Sequence, residues 1–204
     1  MTELLQLDVN GPEIRRMIDT LVRRGVALTS TLAIIESFTP RRIRFDPGLL
    51  ATRLRDDYVA TSTAWSNPAD PTTMMWSAIL RKEMEFEVKF VAAGGRLMAG
   101  VDPTGWGGVI AGIGDHRNLE LLVEAGLTPE VAIRVATSNG ATLLDTAGTF
   151  GTIAAGKAAD LVVVRGNPSQ NISAVRNVEL VLKGGVGYDP VTLRAAVEGA
   201  IGER

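Results

Sequence analysis

The sequence predicts an α/β fold with a parallel sheet, on three observations. First, an apolar strand, residues 97–101, runs straight into a carboxylate, Asp102, and then into the glycine-rich loop Gly105-Trp106-Gly107-Gly108. A strand that ends in a carboxylate and opens into a loop is how α/β barrels present catalytic groups. Second, the elements up to Asp102 alternate as helix, strand, long connection, helix, strand, which is β/α architecture. Third, beyond residue 150 the texture changes to short β-branched runs between tight turns, which reads as a separate β layer.

Each element has a local reason. Asn10 or Gly11 caps the first helix and Pro12 stands in its first turn. Ile14, Met17, Ile18, Leu21 and Val22 then make one buried stripe at helical spacing. Arg23 and Arg24 suit the negative end of the helix dipole, and Gly25 ends the helix. A strand over 26–32 follows at once, a short link typical of α/β repeats. Residues 38–70 read as an irregular polar connection with Pro40, Pro47 and Pro68 and the basic residues Arg41, Arg42 and Arg44. Those arginines either bind an anionic group or form a solvated loop face, the plainer reading. A helix within 48–58 would use Leu49, Leu50 and Leu54.

A long helix is predicted over 71–93, capped by Asp70 with Pro71 at its first position. Met75, Ile79, Glu83, Phe86, Phe90 and Val91 mark one side, a stripe that reads as core packing. Gly94-Gly95 stops this helix and the Asp102 strand begins. Asp115 is the expected cap of the next helix, with Leu119, Leu122 and Val123 inward and Gly126 at its end. Thr128-Pro129-Glu130 opens another, buried through Val131, Ala132, Val135 and Ala136 and broken at Asn139-Gly140. One further helical turn spans 141–145. Strands are expected at 160–164 and 178–182, closed by Gly184-Gly185, and a helix at 190–199.

Composition narrows the function classes. The 204 residues are 46% hydrophobic and 22% charged, with 21 basic and 23 acidic residues and a net charge of -2. With a pI near 5.5, nothing favours nucleic acid or an anionic membrane surface. There are 0 cysteines, so disulfides and thiolate zinc sites are excluded. No apolar run approaches the roughly 20 residues that span a bilayer, and the start of the chain does not read as a signal peptide. These features leave the compartment open. The single histidine, His116, means that a histidine-rich zinc site cannot be built from this chain by itself.

Two glycine motifs weigh little. Residues 151–157 have the GxxxxGK spacing of a phosphate-binding loop, but Ala158 stands where Ser or Thr should reach the metal, and a strand follows instead of a helix. The loop at 105–108 lacks the third glycine of a dinucleotide fingerprint and a ribose-binding acid downstream. Asp102 reads either as a metal or general-base carboxylate or as a strand-end cap. His116, in the first turn of a helix, reads as a packing or surface residue unless it faces a substrate.

Several of these stretches together resemble a known family. Residues 99–102 (AGVD), 116–132 (HRNLELLVEAGLTPEVA), 136–141 (ATSNGA) and 151–163 (GTIAAGKAADLVV) are similar to the C-terminal half of the metal-dependent amidohydrolases, nearest to the imidazolonepropionase- and prolidase-like branch. The GxIxxGKxADLVV segment at this distance from the Asp strand is the specific signal, and the resemblance covers roughly residues 11–185. It implies a TIM-like barrel with one or two divalent metals, zinc foremost, and hydrolysis of amides, cyclic amides or other C–N bonds by a metal-activated hydroxide. Asp102 matches the aspartate of the family's last strand, which binds metal and takes the proton of the attacking water. A metal lowers the pKa of its water to about 7, and a neighbouring carboxylate can pass the proton to the leaving nitrogen. His116 would line the substrate pocket beyond it.

The departures from the family pattern carry equal weight. Its paired histidines on the first strand, its bridging carboxylated lysine and its later histidines have no counterpart here. Strands 26–32 and 97–102 correspond to the seventh and eighth of the barrel. The expected fold is therefore α/β: an incomplete TIM-like (β/α)8 barrel, its last two strands with their helices, plus strands of a small β-sandwich. The expected divisions are 1–148 for the barrel part, 149–188 for the sandwich strands and 189–204 for a terminal helix. Such a chain holds one metal ligand. It would need a missing N-terminal half or another subunit to act on a small-molecule substrate. The alternative is a non-catalytic domain that binds a partner or self-associates through open strand edges.

Overall fold

A computed structural model describes residues 2–41, 45–103 and 105–202. Arg42 and Arg44 of the basic cluster and Thr104 of the glycine-rich loop lie outside the described residues. The chain starts with α1 (Thr2–Gln6) and α2 (Pro12–Arg23), the latter entered through Gly11 and Pro12 as expected. β1 (Ala27–Ser30) follows and is shorter than the predicted 26–32. Leu32 instead opens a helix, α3 (Leu32–Ser37). The cause is distant in sequence: Asn118 Oδ1 accepts the Ala33 amide at 3.1 Å and so satisfies a first-turn donor.

The connection beyond is more ordered than predicted. Residues Pro47–Leu49 make a 3-10 turn in which the Asp46 carboxylate accepts the Gly48 amide at 2.8 Å. α4 (Thr52–Ala64) begins later and runs longer than the predicted 48–58. α5 (Pro71–Ala92) has Asp70 as its cap, with the carboxylate accepting from Thr72 N at 2.8 Å and Thr73 N at 3.3 Å. β2 (Arg96–Ala99) pairs with β1 in parallel, Ala27 against Arg96 and Ser30 against Ala99.

That register sorts the two faces of the pair. Leu28, Ser30 and Leu97 face the helices, where Ser30 and Leu97 are fully buried beside Phe90, Leu121, Leu122 and Val135. On the opposite face, Thr29 and Arg96 are exposed and Met98 is half-buried. Among the described residues each of the two strands has a single strand neighbour.

α6 (Ile113–Ala125) starts two residues before the predicted cap. Asp115 lies within its first turn and its carboxylate accepts the Gly112 amide at 2.7 Å, so the acid acts from inside the helix. α7 (Pro129–Ala136) is capped by Thr128 as expected. The predicted break at Asn139-Gly140 falls at Thr137 instead, and α8 (Ser138–Leu143) runs through both residues. Asn139 Nδ2 there donates to Leu97 O at 2.8 Å, fixing the helix to β2.

The later β layer has three strands where two were predicted: β3 (Leu161–Val164), β4 (Val178–Lys183) and β5 (Val186–Tyr188), antiparallel in that order. Residues Ile172–Arg176 form a 3-10 turn between β3 and β4. α9 (Pro190–Ala195) is shorter than the predicted 190–199. The fold is mixed α/β, and no helix among the described residues is long and apolar enough to cross a membrane.

Candidate functional site

β2 ends where its partner ends. Gly100 N donates to Ser30 O at 2.8 Å, and a Cβ at Gly100 would fall 2.7 Å from Thr29 Cγ2, so only glycine lets the two strand ends stay this close. Two residues on, Asp102 has φ 50°, in the left-handed region. That conformation costs a non-glycine residue about 1 kcal/mol, less for Asp than for most. It turns an exposed carboxylate out beyond the C-terminal end of the sheet, and no ion pair among the described residues holds it. Outliers of this kind persist where the surroundings impose them, often at functional sites.

Gly107 and Gly108, after Asp102, serve packing. A Cβ at Gly108 would lie 2.1 Å from the Trp106 ring, so the indole lies directly on this residue. Gly107, at φ 80°, sits against Leu50, Leu54 and Tyr58. Trp106 stacks with Tyr58 at 6.2 Å and 11°, and Phe38 packs against Trp65, Trp76 and Trp106. All three tryptophans of the chain thus meet at Phe38 on the strand-end side, and Trp106 Nε1 is buried without a partner among the described residues. Gly107 and Gly108 are explained by side-chain packing, which weakens the dinucleotide reading further.

The phosphate-loop spacing has an equally local explanation. Lys157 Nζ donates to Ala147 O at 2.6 Å, Phe150 O at 3.3 Å and Thr152 Oγ1 at 2.5 Å, so the cation closes its own turn. Asp160 accepts from Lys183 and from Gly184 N, tying the start of β3 to the β4–β5 turn.

His116 is half-buried in the first turn of α6. Burial lowers its pKa first and the positive charge of Arg176 adds to this, while Asp115 and Glu120 pull the other way and Arg194 lowers it further. These neighbours lie on α6, on α9 and in the 172–176 turn that packs against α6. Asp102 is not among them, so the structure does not join the two sequence-predicted site residues into one pair.

α3, α6 and the 172–176 turn are joined by an ion network that local sequence patterns did not reveal. Arg117 donates to both oxygens of Glu36, at 2.7 and 2.6 Å, and also to Glu120 at 3.1 Å and Glu124 at 2.7 Å. Arg176 forks onto Glu120 at 2.6 and 2.7 Å. Burial works against both ends, but the hydrogen bonds win: Arg117 is held above the usual guanidinium range and Glu120 is lowered to about 2. The spacing of Arg117, Glu120 and Glu124 on α6 was legible as one helix face. Glu36 was not, because its helix was hidden.

A second polar node lies under the strand end. Asn118 Nδ2 donates to Ser30 Oγ at 3.2 Å, and Ser30 in turn hydrogen-bonds Glu87 on α5. Glu87 Oε2 is buried with no partner among the described residues. Desolvation raises this carboxyl to about 8, with Ser30 opposing and the charge of Glu83 adding to the rise.

No group of three or more His, Asp or Glu side chains able to hold a metal occurs among the described residues. Asp102 offers one carboxylate, so these residues alone do not fit a catalytic metal.

Comparison with known proteins bears on this geometry. No curated protein matches the chain. Among solved structures, a bottromycin amidohydrolase aligns at TM-score 0.68 and 20% identity, over 96% of this chain and 46% of that one. A Xaa-Pro dipeptidase with bound methionine aligns at 0.60 and 21%, over 91% and 38%. The A. niger ochratoxinase aligns at 0.60 and 21%, over 85% and 34%. The chain thus spans less than half the length of each, and at these identities the likeness concerns the fold. The amidohydrolase family model matches residues 16–186. Members of that family generally use divalent metals, and this chain, matched over most of its length, belongs to the amidohydrolase family.

Proposed function

We propose that the chain is the C-terminal part of a metal-dependent hydrolase of C–N bonds, of prolidase-like type, supplying the last two strands of a TIM-like barrel and part of a small β-sandwich. The observation that carries this reading is Asp102: an exposed carboxylate in a left-handed conformation just past β2, inside the segment matched to the family. In this reading Asp102 is the chain's one ligand to zinc or a similar ion and its acid–base carboxylate. The remaining ligands come from a missing N-terminal half or another subunit, seated on the uncovered side of the β1–β2 pair where Thr29, Arg96 and Met98 lie. The chain alone is inactive. The substrate is a small molecule with a non-peptide amide, cyclic amide or dipeptide-like bond.

The test is to supply the six upstream βα units in trans and assay dipeptides and cyclic amides. Turnover that falls by about 10³-fold in Asp102→Ala, with the fold intact, supports the reading. Wild-type rates in that variant contradict it. For His116, a substrate contact competes with a packing role on α6 beside the 172–176 turn. His116→Gln separates the two: a raised KM supports substrate contact, and an unchanged KM with a lowered Tm supports the packing role.

A second reading has its own observation. Ile153 is 88% exposed, Val162 59% and Val186 57%, so the β layer carries apolar surface suited to a protein partner or a second copy. A stable, monodisperse homo-oligomer inert to the complementary half would favour this non-catalytic role.

A further inference from the structure

Residues 189–202 leave the three-stranded sheet and return to the strand-end side of the molecule. Asp189 starts the segment by accepting from Val191 N and Thr192 N, each at 3.2 Å. α9 is exposed along its length, with Val191 at 74% and Leu193 at 42%. Midway, Arg194 comes near enough to His116 to act on its charge. At the far end Ile201 joins Leu50 in a parallel bridge: Ala51 N donates to Ile201 O at 3.0 Å, and Ile201 N donates to Leu49 O at 3.3 Å. Its side chain is half-buried against the cluster of Leu50, Tyr58, Ile110 and Trp106. Gly202 lies so close to Leu54 that a Cβ there would fall 2.4 Å from Leu54 Cδ2.

The cluster that receives Ile201 also holds Trp106, and Trp106 belongs to residues 105–112, the segment that follows Asp102. We propose that residues 189–202 form a strap whose docking at Leu50 holds residues 105–112 in place, and that undocking of Ile201 releases them. Among the described residues the far attachment is slight, one half-buried side chain, one short bridge and the close approach of Gly202 to Leu54, while the exposed helix behind it adds little. Segments with few buried contacts open well below the global unfolding free energy. Release of Ile201 removes one of the side chains packed on the Leu50, Tyr58 and Ile110 cluster, on which Trp106 and Ile113, the first residue of α6, also pack, so loosening passes to the segment behind Asp102. What this does to catalysis rests on the hydrolase reading. The strap itself does not.

Hydrogen exchange on the full chain tests it, comparing wild type, Ile201→Glu and Ile201→Val. In Ile201→Glu, exchange is expected to rise at least about tenfold at residues 47–51 and 105–112 while α2, β3 and β4 keep their rates, and Ile201→Val stays near wild type. A protease site placed in the exposed turn at 196–200 and cut after folding should reproduce this change and guards against a variant that fails to fold. Unchanged exchange at 105–112 once the strap is cut overturns the proposal, and so does acceleration spread evenly over the whole chain. An assembled enzyme that hydrolyses no C–N bond would leave these rates unaltered, so the two readings fail separately.

Discussion

Glu87 is 3% exposed, hydrogen-bonded to Ser30, and its Oε2 has no partner among the described residues. Its carboxyl is raised from 4.5 to about 8, so the folded state holds a proton that the unfolded chain releases. The associated stability is complete below about pH 4.5 and is lost as pH rises through about 8, at up to about 1.4 kcal/mol per unit. Glu87→Gln should remove that slope, so urea unfolding at pH 5 and pH 8 should show the variant gaining on wild type at the higher pH. Equal pH dependence in both proteins would show that Glu87 does not titrate as described. Glu120 acts in the opposite sense: lowered to about 2, it adds stability above about pH 4.5 that is lost as acid takes the pH toward 2. At Arg117 the expected effect is larger. Arg117→Ala leaves Glu36, 1% exposed, as a buried unpaired charge and should cost about 3–5 kcal/mol in chemical denaturation. A loss under 1 kcal/mol, the scale of a surface pair, would mean that Glu36 finds water or another partner.

Among the elements, those with local signals were legible in the sequence. Asp70 and Pro71 mark the start of α5, and Thr128 and Pro129 mark α7, because caps are written within a few residues of the helix they begin. α3 was hidden because its first turn is satisfied by Asn118, 85 residues away. β5 was hidden because Val186–Tyr188 is three residues long, too short for an alternating pattern. The same division holds for the site. Asp102 stands out as a candidate because a strand-end carboxylate is a local pattern, whereas the Glu36–Arg117–Glu120–Arg176 network exists only once α3, α6 and the 172–176 turn meet. The loop after Asp102 follows packing rules that a variant can probe. Gly108→Ala must displace the Trp106 ring and should cost about 1–3 kcal/mol, with tryptophan emission shifted to longer wavelength. Unchanged emission and stability would show that the indole does not rest on Gly108.

At the scale of the whole molecule, the described residues pair a well-packed helical side with a two-stranded parallel sheet. Phe90, Leu97, Leu121 and Leu122 are fully buried between the two parallel strands and their helices. The opposite side of the sheet is open, and the solved relatives are more than twice the length of this chain. These facts together favour a chain that contributes one carboxylate to a site completed elsewhere. The most direct measurement is divalent metal bound per chain, taken on the purified 204-residue protein after zinc loading and again after assembly with the six upstream βα units. The account predicts no stoichiometric metal on the chain alone, uptake on assembly, and loss of that uptake in Asp102→Ala. About one tightly held metal on the isolated, monodisperse chain would contradict it.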